Sequence, residues 1–191
     1  IKRMLAYSSV EHMGILAIGV AVGGLATYGA MFHMFNNALT KGSLFMSAGN
    51  IHRHYGSKRQ CEILGSLSDL PVSAGVFLAG FLAIAGSPPS GVFLSEFTIL
   101  RGIFTTGHPY LSGGFVFLLA VIFIGMADTV LPVTLGPSHN NEATPDSRHE
   151  TLLTAATPLL LLLIVIAVGL YLPAPLKNLF TDAAALLELQ P

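Results

Sequence analysis

Charged residues are scarce in this sequence: they make up 10% of its 191 residues, whereas soluble domains carry about 25%. Apolar residues make up 52%, and the mean hydropathy is +0.69. The net charge is only −1, and the basic residues are scattered without a stripe, which argues against a nucleic-acid surface. This composition predicts an integral membrane protein embedded in a lipid bilayer.

Cysteine is almost absent as well, since Cys61 is the only one. A single cysteine excludes an internal disulfide and gives no metal-site spacing. The sequence also has no Cys or His cluster for an iron–sulfur centre and no nucleotide-binding motif. We therefore expect no metal and no cofactor in this chain. It begins at Ile1 without a signal peptide, and we expect it to be the later part of a longer polypeptide.

Long apolar stretches are what the sequence has instead. Four of them have the length of roughly 17–25 residues that a membrane-spanning helix needs. They are Met4–Gly24, Thr27–Ile51, Ser112–Val133 and Thr151–Leu172. With a fifth, interrupted stretch, they predict an all-α, polytopic membrane helix bundle of about five spans, forming a single transmembrane domain over residues 1–191.

The fifth stretch, Leu70–Phe104, is interrupted at Pro88, Pro89 and Gly91, which do not continue a helix. As one helix it would be about 52 Å long, too long for a bilayer core near 30 Å. One discontinuous helix, packed in protein or lining a wet cavity, fits best. The alternative is a plain turn between two short helices, which would raise the number of spans to six and leave Glu96 at an interface.

Orientation follows from Lys and Arg in the short loops, which assign the Arg53–Arg59 loop to the cytoplasm. With one discontinuous helix, Ser112 faces the periplasm and Asn140 the cytoplasm. The polar segment 136–150 has the turn-forming composition of a surface loop.

Lys41 lies deep in the second apolar stretch, about 16 Å from its nearer end at His52. A lysine at such depth costs roughly 2.5–3.5 kcal/mol on insertion scales, so it usually lines an ion or proton path. His33 and Asn37 precede Lys41 at steps of four residues, which predicts a polar stripe about 12 Å long on one helix face. A lysine that snorkels to the headgroups is the alternative, but Lys41 is too deep for it.

Other ionisable residues also lie in apolar surroundings. Glu96 follows the proline break by five residues. Glu11 and His12 lie about two turns inside the first stretch, where they either exchange protons or only hydrogen-bond a neighbouring helix. Asp128 lies near the end of its stretch, which favours an interfacial position.

Taken together, these residues give the chain a resemblance to the antiporter-like proton-translocating subunits of respiratory complex I, Mrp-type antiporters and membrane-bound hydrogenases. Three stretches carry it: Lys2–Ser9 (KRMLAYSS), His33–Lys41 (HMFNNALTK) and Pro88–Phe97 (PPSGVFLSEF). The sequences Tyr7–Gly14 and Ser95–Phe97 are most similar to the hydrogenase-4 component F branch. In that family each subunit contains two inverted five-helix repeats, and the resemblance implies that this chain starts inside the second repeat and ends after the last helix, so that it is the C-terminal half of such a subunit.

The resemblance also implies roles for single residues. Lys41 matches the central channel lysine, Glu96 the terminal ionisable residue at the broken helix, and Lys2 the lysine at the cytoplasmic start of the preceding helix. His33 matches a channel histidine. Asn37 departs from the pattern, because many relatives have a second histidine there and an amide cannot take up a proton. A relay between His33 and Lys41 must then use water.

The function that follows is a proton-translocating membrane subunit of a respiratory or hydrogenase-type oxidoreductase complex, without a redox centre of its own. Lys41 would take a proton from the cytoplasmic side and pass it through water to Glu96. Partners would be other membrane subunits and a peripheral redox arm, and the location a prokaryotic plasma membrane. Two alternatives stay open: a sodium/proton antiporter subunit, and a structural anchor for a peripheral enzyme.

Overall fold

The computed structural model describes residues 1–57, 62–137 and 152–188. Every regular element in these ranges is a helix. The elements are α1 (Lys2–Val22), α2 (Leu25–Tyr55), α3 (Ser66–Asp69), α4 (Pro71–Ile84), α5 (Gly91–Thr105), α6 (Pro109–Leu135), α7 (Leu152–Leu170) and α8 (Ala174–Glu188). The prediction of an all-α bundle is confirmed.

The four uninterrupted spans predicted from hydropathy correspond to α1, α2, α6 and α7. Within the described ranges, three helices are long and apolar enough to cross a membrane: Lys2–Val22, Pro109–Leu135 and Leu153–Leu170. Helix α2 has 31 residues and packs at the centre of the bundle, against α1, α4, α5, α7 and α8. It carries many buried Ser, Thr, Asn, His and Lys side chains, so its composition is less apolar than that of its neighbours.

Helices α4 and α5 together form the predicted discontinuous helix. Close approaches to α2 occur in one continuous order along both pieces. From the first half of α2 towards its second half, they pair Ala26 with Gly102, His33 with Ser95, Asn36 with Gly91 and Leu44 with Gly80. Two separate spans joined by a turn would reverse this order at the break, because the chain would fold back. The pair therefore crosses the bundle once.

Protein covers the break between α4 and α5 at Ser90 and Gly91, which are buried, whereas the side chains of Pro88 and Pro89 are exposed. The hydroxyl of Ser90 donates to the carbonyl oxygen of Ala83 at 3.2 Å and accepts from the backbone N–H of Phe93 at 3.2 Å, so it joins the two halves. Gly169 of α7 packs so closely on the break that an added Cβ would collide with the backbone of Pro89 and Gly91. Broken backbone at membrane depth needs such cover, because lipid offers no hydrogen bonds.

Helix α8 is not predicted by the hydropathy pattern, because it is short and has polar residues on one side. It packs along the first half of α2, where Phe180 lies against the rings of Phe32 and Phe35. Glu188 accepts a hydrogen bond from the backbone N–H of Gly24 at 2.5 Å.

Three regions that the sequence analysis discussed lie outside the described residues. They are Lys58 to Cys61, most of the polar segment 136–150 with Asn140, and the last three residues.

Candidate functional site

Lys41 is buried inside the bundle, with 8% of its surface exposed. Its ammonium nitrogen donates a hydrogen bond to the carbonyl oxygen of Leu5 on α1 at 3.1 Å. The side chain therefore points from α2 towards α1 and does not extend to the end of the bundle. This position agrees with the predicted depth and excludes snorkelling.

A buried chain of hydrogen bonds links α1, α2 and α5. Nδ1 of His12 lies 2.9 Å from Nε2 of His33, and Nδ1 of His33 lies 2.9 Å from the hydroxyl oxygen of Ser95. The two imidazole rings are tilted by 33°, with centroids 5.1 Å apart. All three side chains are fully buried. Three helices thus contribute one side chain each to a continuous polar chain.

The positions of the protons in this series of hydrogen bonds follow from the hydroxyl group of Ser95, at one end of it. Ser95 has one hydroxyl proton and donates it to the carbonyl oxygen of Val92 at 2.7 Å. Its oxygen therefore accepts the N–H of His33 Nδ1, and in neutral His33 the other nitrogen accepts the N–H of His12 Nδ1. Nε2 of His12 is left as a buried acceptor with no hydrogen-bond partner among the described residues.

Glu96 lies beside the two histidines, at the break of the discontinuous helix. One ligand atom from each of His12, His33 and Glu96 lies within 4.8 Å of those from the other two. One carboxylate oxygen, Oε2, packs against Gly86, which has φ +71° and no room for a Cβ. The other oxygen, Oε1, is buried and has no hydrogen-bond partner in the described part of the chain.

Glu11 is half-buried on α1 and interacts electrostatically with both Lys41 and Glu96. It lines a cleft of about 410 Å³ between α1 and α6. The lining residues are Met4, Tyr7, Ser8 and Glu11 from α1 and Ile122, Gly125, Met126 and Thr129 from α6. Glu11 therefore connects the lateral surface of the bundle to the Lys41 environment.

Lys2 is exposed at the start of α1 and does not join the buried network. It lines a pocket of about 250 Å³ with Leu5, Phe45 and His52. Leu5 also accepts the hydrogen bond from Lys41, so one residue separates the pocket from the buried lysine. Asp128 is exposed on α6.

Several buried polar atoms around this network have no hydrogen-bond partner among residues 1–57, 62–137 and 152–188. They include Ser8 Oγ, Glu11 Oε2, His12 Nε2, Asn36 Oδ1, Asn37 Oδ1 and Glu96 Oε1. Buried polar groups in proteins are almost always satisfied, by protein or by ordered water. These atoms lie on α1, α2 and α5, the same helices that carry the ionisable residues.

Sequence reasoning missed three features of this site. It left His12 undecided and could not pair it with His33, because helix packing alone brings two residues 21 positions apart together. It did not single out Ser95 or Asn36, whose oxygen packs against Gly91 at the start of α5. The available signal in the sequence was that His12 and Ser95 directly neighbour Glu11 and Glu96, which were already candidates for the proton path.

Comparison with known proteins identifies the relatives of this chain. Residues 1–123 match the family model "NADH:quinone oxidoreductase/Mrp antiporter, TM". The chain is 31% identical to a hydrogenase-4 component F homolog of Methylacidiphilum infernorum over 189 residues, which are 98% of this chain and 38% of that protein. It is 40% identical to NADH-quinone oxidoreductase subunit N of Desulforudis audaxviator over 106 residues, covering 55% of this chain and 21% of that protein.

Among solved structures, a chain of the Mrp complex from Dietzia sp. DQ12-45-1b superposes with a TM-score of 0.84 at 22% identity. The superposition covers 96% of this chain and 42% of that one. This likeness shows the shared fold. In each comparison the present chain spans less than half of the other protein's length.

Proposed function

The chain belongs to the membrane family of NADH:quinone oxidoreductase and Mrp antiporter subunits, and from this premise we propose that it conducts protons across the membrane. The observation that carries the proposal is the buried chain from His12 through His33 to Ser95, flanked by Lys41 and Glu96. Ionisable residues inside a membrane bundle are costly and generally serve ion or proton transfer.

Proton uptake takes place at the end of the bundle that carries Lys2. The pocket beside Lys2 and His52 admits water to Leu5, whose carbonyl oxygen holds the ammonium group of Lys41. Lys41 stores one proton at this point. Its electrostatic interaction with Glu11 makes the charge of each depend on the charge of the other.

Transfer to the centre uses His12 in place of the histidine that position 37 lacks. A proton delivered by water to Nε2 of His12 allows the Nδ1 proton to move to Nε2 of His33, so no net charge is left on His12. His33 then carries the positive charge next to Ser95 and Glu96. Asn37 takes up no proton on this route, and its amide only lines the route with a polar group.

Glu96 receives the proton and releases it on the far side. The carboxylate packs against Gly86 in the segment that precedes α5, and the N-terminal end of a helix favours negative charge nearby. Water must complete the route between Lys41, the histidines and Glu96, and the unpartnered buried atoms supply its hydrogen-bonding partners.

Energy for transport comes from outside this chain, through further membrane subunits and a peripheral redox arm. The relatives include a hydrogenase component homolog and a quinone oxidoreductase subunit, which supports an oxidoreductase complex. We place the complex in the plasma membrane of a prokaryote. A change of charge at Glu11 or Lys41 is the step that a neighbouring subunit would control.

Proton transport by the complete complex in sealed vesicles tests the proposal. We expect Lys41→Met to abolish transport while the complex still assembles, because the substitution keeps the length of the side chain and removes the proton carrier. Lys177→Met, on the exposed surface of α8, is the matched control and should transport normally. Wild-type transport by Lys41→Met would show that the chain is only a structural anchor.

The same vesicles separate proton conduction from sodium/proton exchange. A buried carboxylate such as Glu96 can bind Na⁺ as well as H⁺, and the family includes antiporters. Transport that persists at full rate without sodium supports the proton conductor. Strict dependence on sodium would assign the chain to the antiporters instead.

A further inference from the structure

The contact between His12 and His33 has the geometry of a metal-binding pair as well as of a proton relay. Two ring nitrogens that face each other at 2.9 Å share a single proton. Glu96 adds a carboxylate whose ligand atom lies within 4.8 Å of both rings, and all three residues are buried. We propose that His12, His33 and Glu96 form an inhibitory site for a divalent transition-metal ion such as Zn²⁺, which takes the place of the shared proton while His12 keeps its single proton on Nε2.

The distances fit such an ion with small adjustments. Tetrahedral zinc holds imidazole nitrogens at about 2.0–2.1 Å, so its ligand atoms lie about 3.3–3.4 Å apart. The two nitrogens must therefore separate by about half an ångström. Each ring must also turn so that its lone pair points at the ion. The carboxylate must rotate towards the ion as well, from a position where its ligand atom lies within 4.8 Å of one nitrogen of each ring.

The surroundings of the three ligands favour the same ion. His33 donates its other ring N–H to Ser95, the outer hydrogen bond by which a metal-bound histidine is usually oriented. Glu96 Oε1 is buried without a protein partner in the described ranges, so it is free to ligate. Imidazole ligands suit zinc and its neighbours, whereas Na⁺, Mg²⁺ and Ca²⁺ prefer sites built only from oxygen.

Electrostatics and access are compatible with a cation at this position. Lys41 interacts with His12 and opposes a second positive charge, but Glu11 interacts with Lys41 and offsets it. The cleft between α1 and α6 is lined by Ser8 and by the carboxylate of Glu11, which neighbours His12 in the sequence and offers a negative charge to a cation in the cleft. The sequence predicts no metal site, because 21 residues separate the two histidines.

Bound metal would stop transport, because Nδ1 of His12 and Nε2 of His33 can then exchange no proton. This inhibition rests on the proposed function, whereas the binding of metal does not. Binding is therefore measured by itself, with Zn²⁺ as the only added ligand. The sample is the purified complete complex, dialysed to equilibrium against increasing zinc concentrations.

We expect wild-type complex to bind one zinc ion more than the His12→Gln complex, with zinc-edge X-ray absorption showing two imidazole ligands. His12→Gln and Glu96→Gln should each weaken this site by at least about 100-fold, and Ser95→Ala by about 10-fold through loss of the orienting bond. His108→Gln, at an exposed histidine before α6, is the control and should bind as wild type does.

Equal zinc binding by wild type and His12→Gln would overturn the site, and so would an absorption spectrum without imidazole. Zinc that binds at His12 but leaves proton transport unchanged would overturn the inhibition. Normal transport by Lys41→Met together with intact zinc binding would refute the proposed function and support the metal site.

Discussion

Nδ1 of His12 meets Nε2 of His33 at 2.9 Å, so α1 places an imidazole beside the polar stripe of α2, where the proposed proton route needs one. The polar stripe on α2 contains His33 and Lys41, but its middle position is Asn37, which cannot carry a proton. His12 approaches from the neighbouring helix and offers an unpartnered Nε2 for a proton that arrives from the Lys41 side. On the proposed route, His12 of α1 therefore takes the place of the histidine that position 37 of α2 lacks.

This exchange predicts that His12 is required and that position 37 can replace it. We expect His12→Gln to slow proton transport by about 100-fold, because glutamine keeps hydrogen bonds but cannot accept a proton. Adding Asn37→His should restore part of the rate, since the new imidazole lies on the same face of α2 as His33. Proton transport by the complete complex in sealed vesicles measures both effects.

His108→Gln provides the control for the loss of any histidine, because His108 is exposed outside the network. The decisive measurement is proton transport by the double variant, His12→Gln with Asn37→His. If it is as slow as His12→Gln while Asn37→His alone transports normally, His12 has a role that an imidazole on α2 cannot supply, and the prediction that position 37 can replace it is wrong.

Much of this structure could be predicted from the sequence, and the part of the site that could not be predicted has one physical cause. Hydropathy located the spans, and Pro88 and Pro89 located the break, because both signals are local. The depth of Lys41 was likewise a matter of counting along one helix. The pairing of His12 with His33 depends on how α1 rotates against α2, and that rotation is set by packing all along the interface, which no local pattern encodes.

Glu96 should be needed as a carboxylate that exchanges protons. Glu96→Gln keeps the shape and removes the exchangeable proton, so we expect proton transport to stop while the complex assembles. Glu96→Asp shortens the side chain by one methylene and should retain part of the rate. Asp182→Asn, at an exposed carboxylate on α8, should have no effect. Normal transport by Glu96→Gln would mean that Glu96 only packs against Gly86.

Gly169 should be needed for stability because α7 covers the break at this point. A Cβ at position 169 would overlap the backbone of Pro89 and Gly91. We expect Gly169→Ala to destabilise the protein by about 1–3 kcal/mol, the usual cost of overpacking, and to lower the melting temperature of the purified complex. Gly113→Ala is the matched control, because nothing lies within 4 Å of an added Cβ there. Equal melting temperatures would show that α7 can move away from the break.

The discontinuous helix also determines on which side of the membrane two exposed residues lie. Since α4 and α5 cross the bundle once, Arg53 at the end of α2 and Tyr110 at the start of α6 lie at opposite ends of the bundle.

Cys61 is the only cysteine, so Cys61→Ser gives a background for placing single cysteines at these positions. Tyr110 is 95% exposed, and Arg53 is exposed as well, so both should react readily with a thiol reagent that does not cross membranes. We expect Tyr110→Cys to react in intact cells and Arg53→Cys only in inside-out vesicles. If both cysteines react from the same side, the chain crosses the membrane twice between them, and α4 and α5 are separate spans.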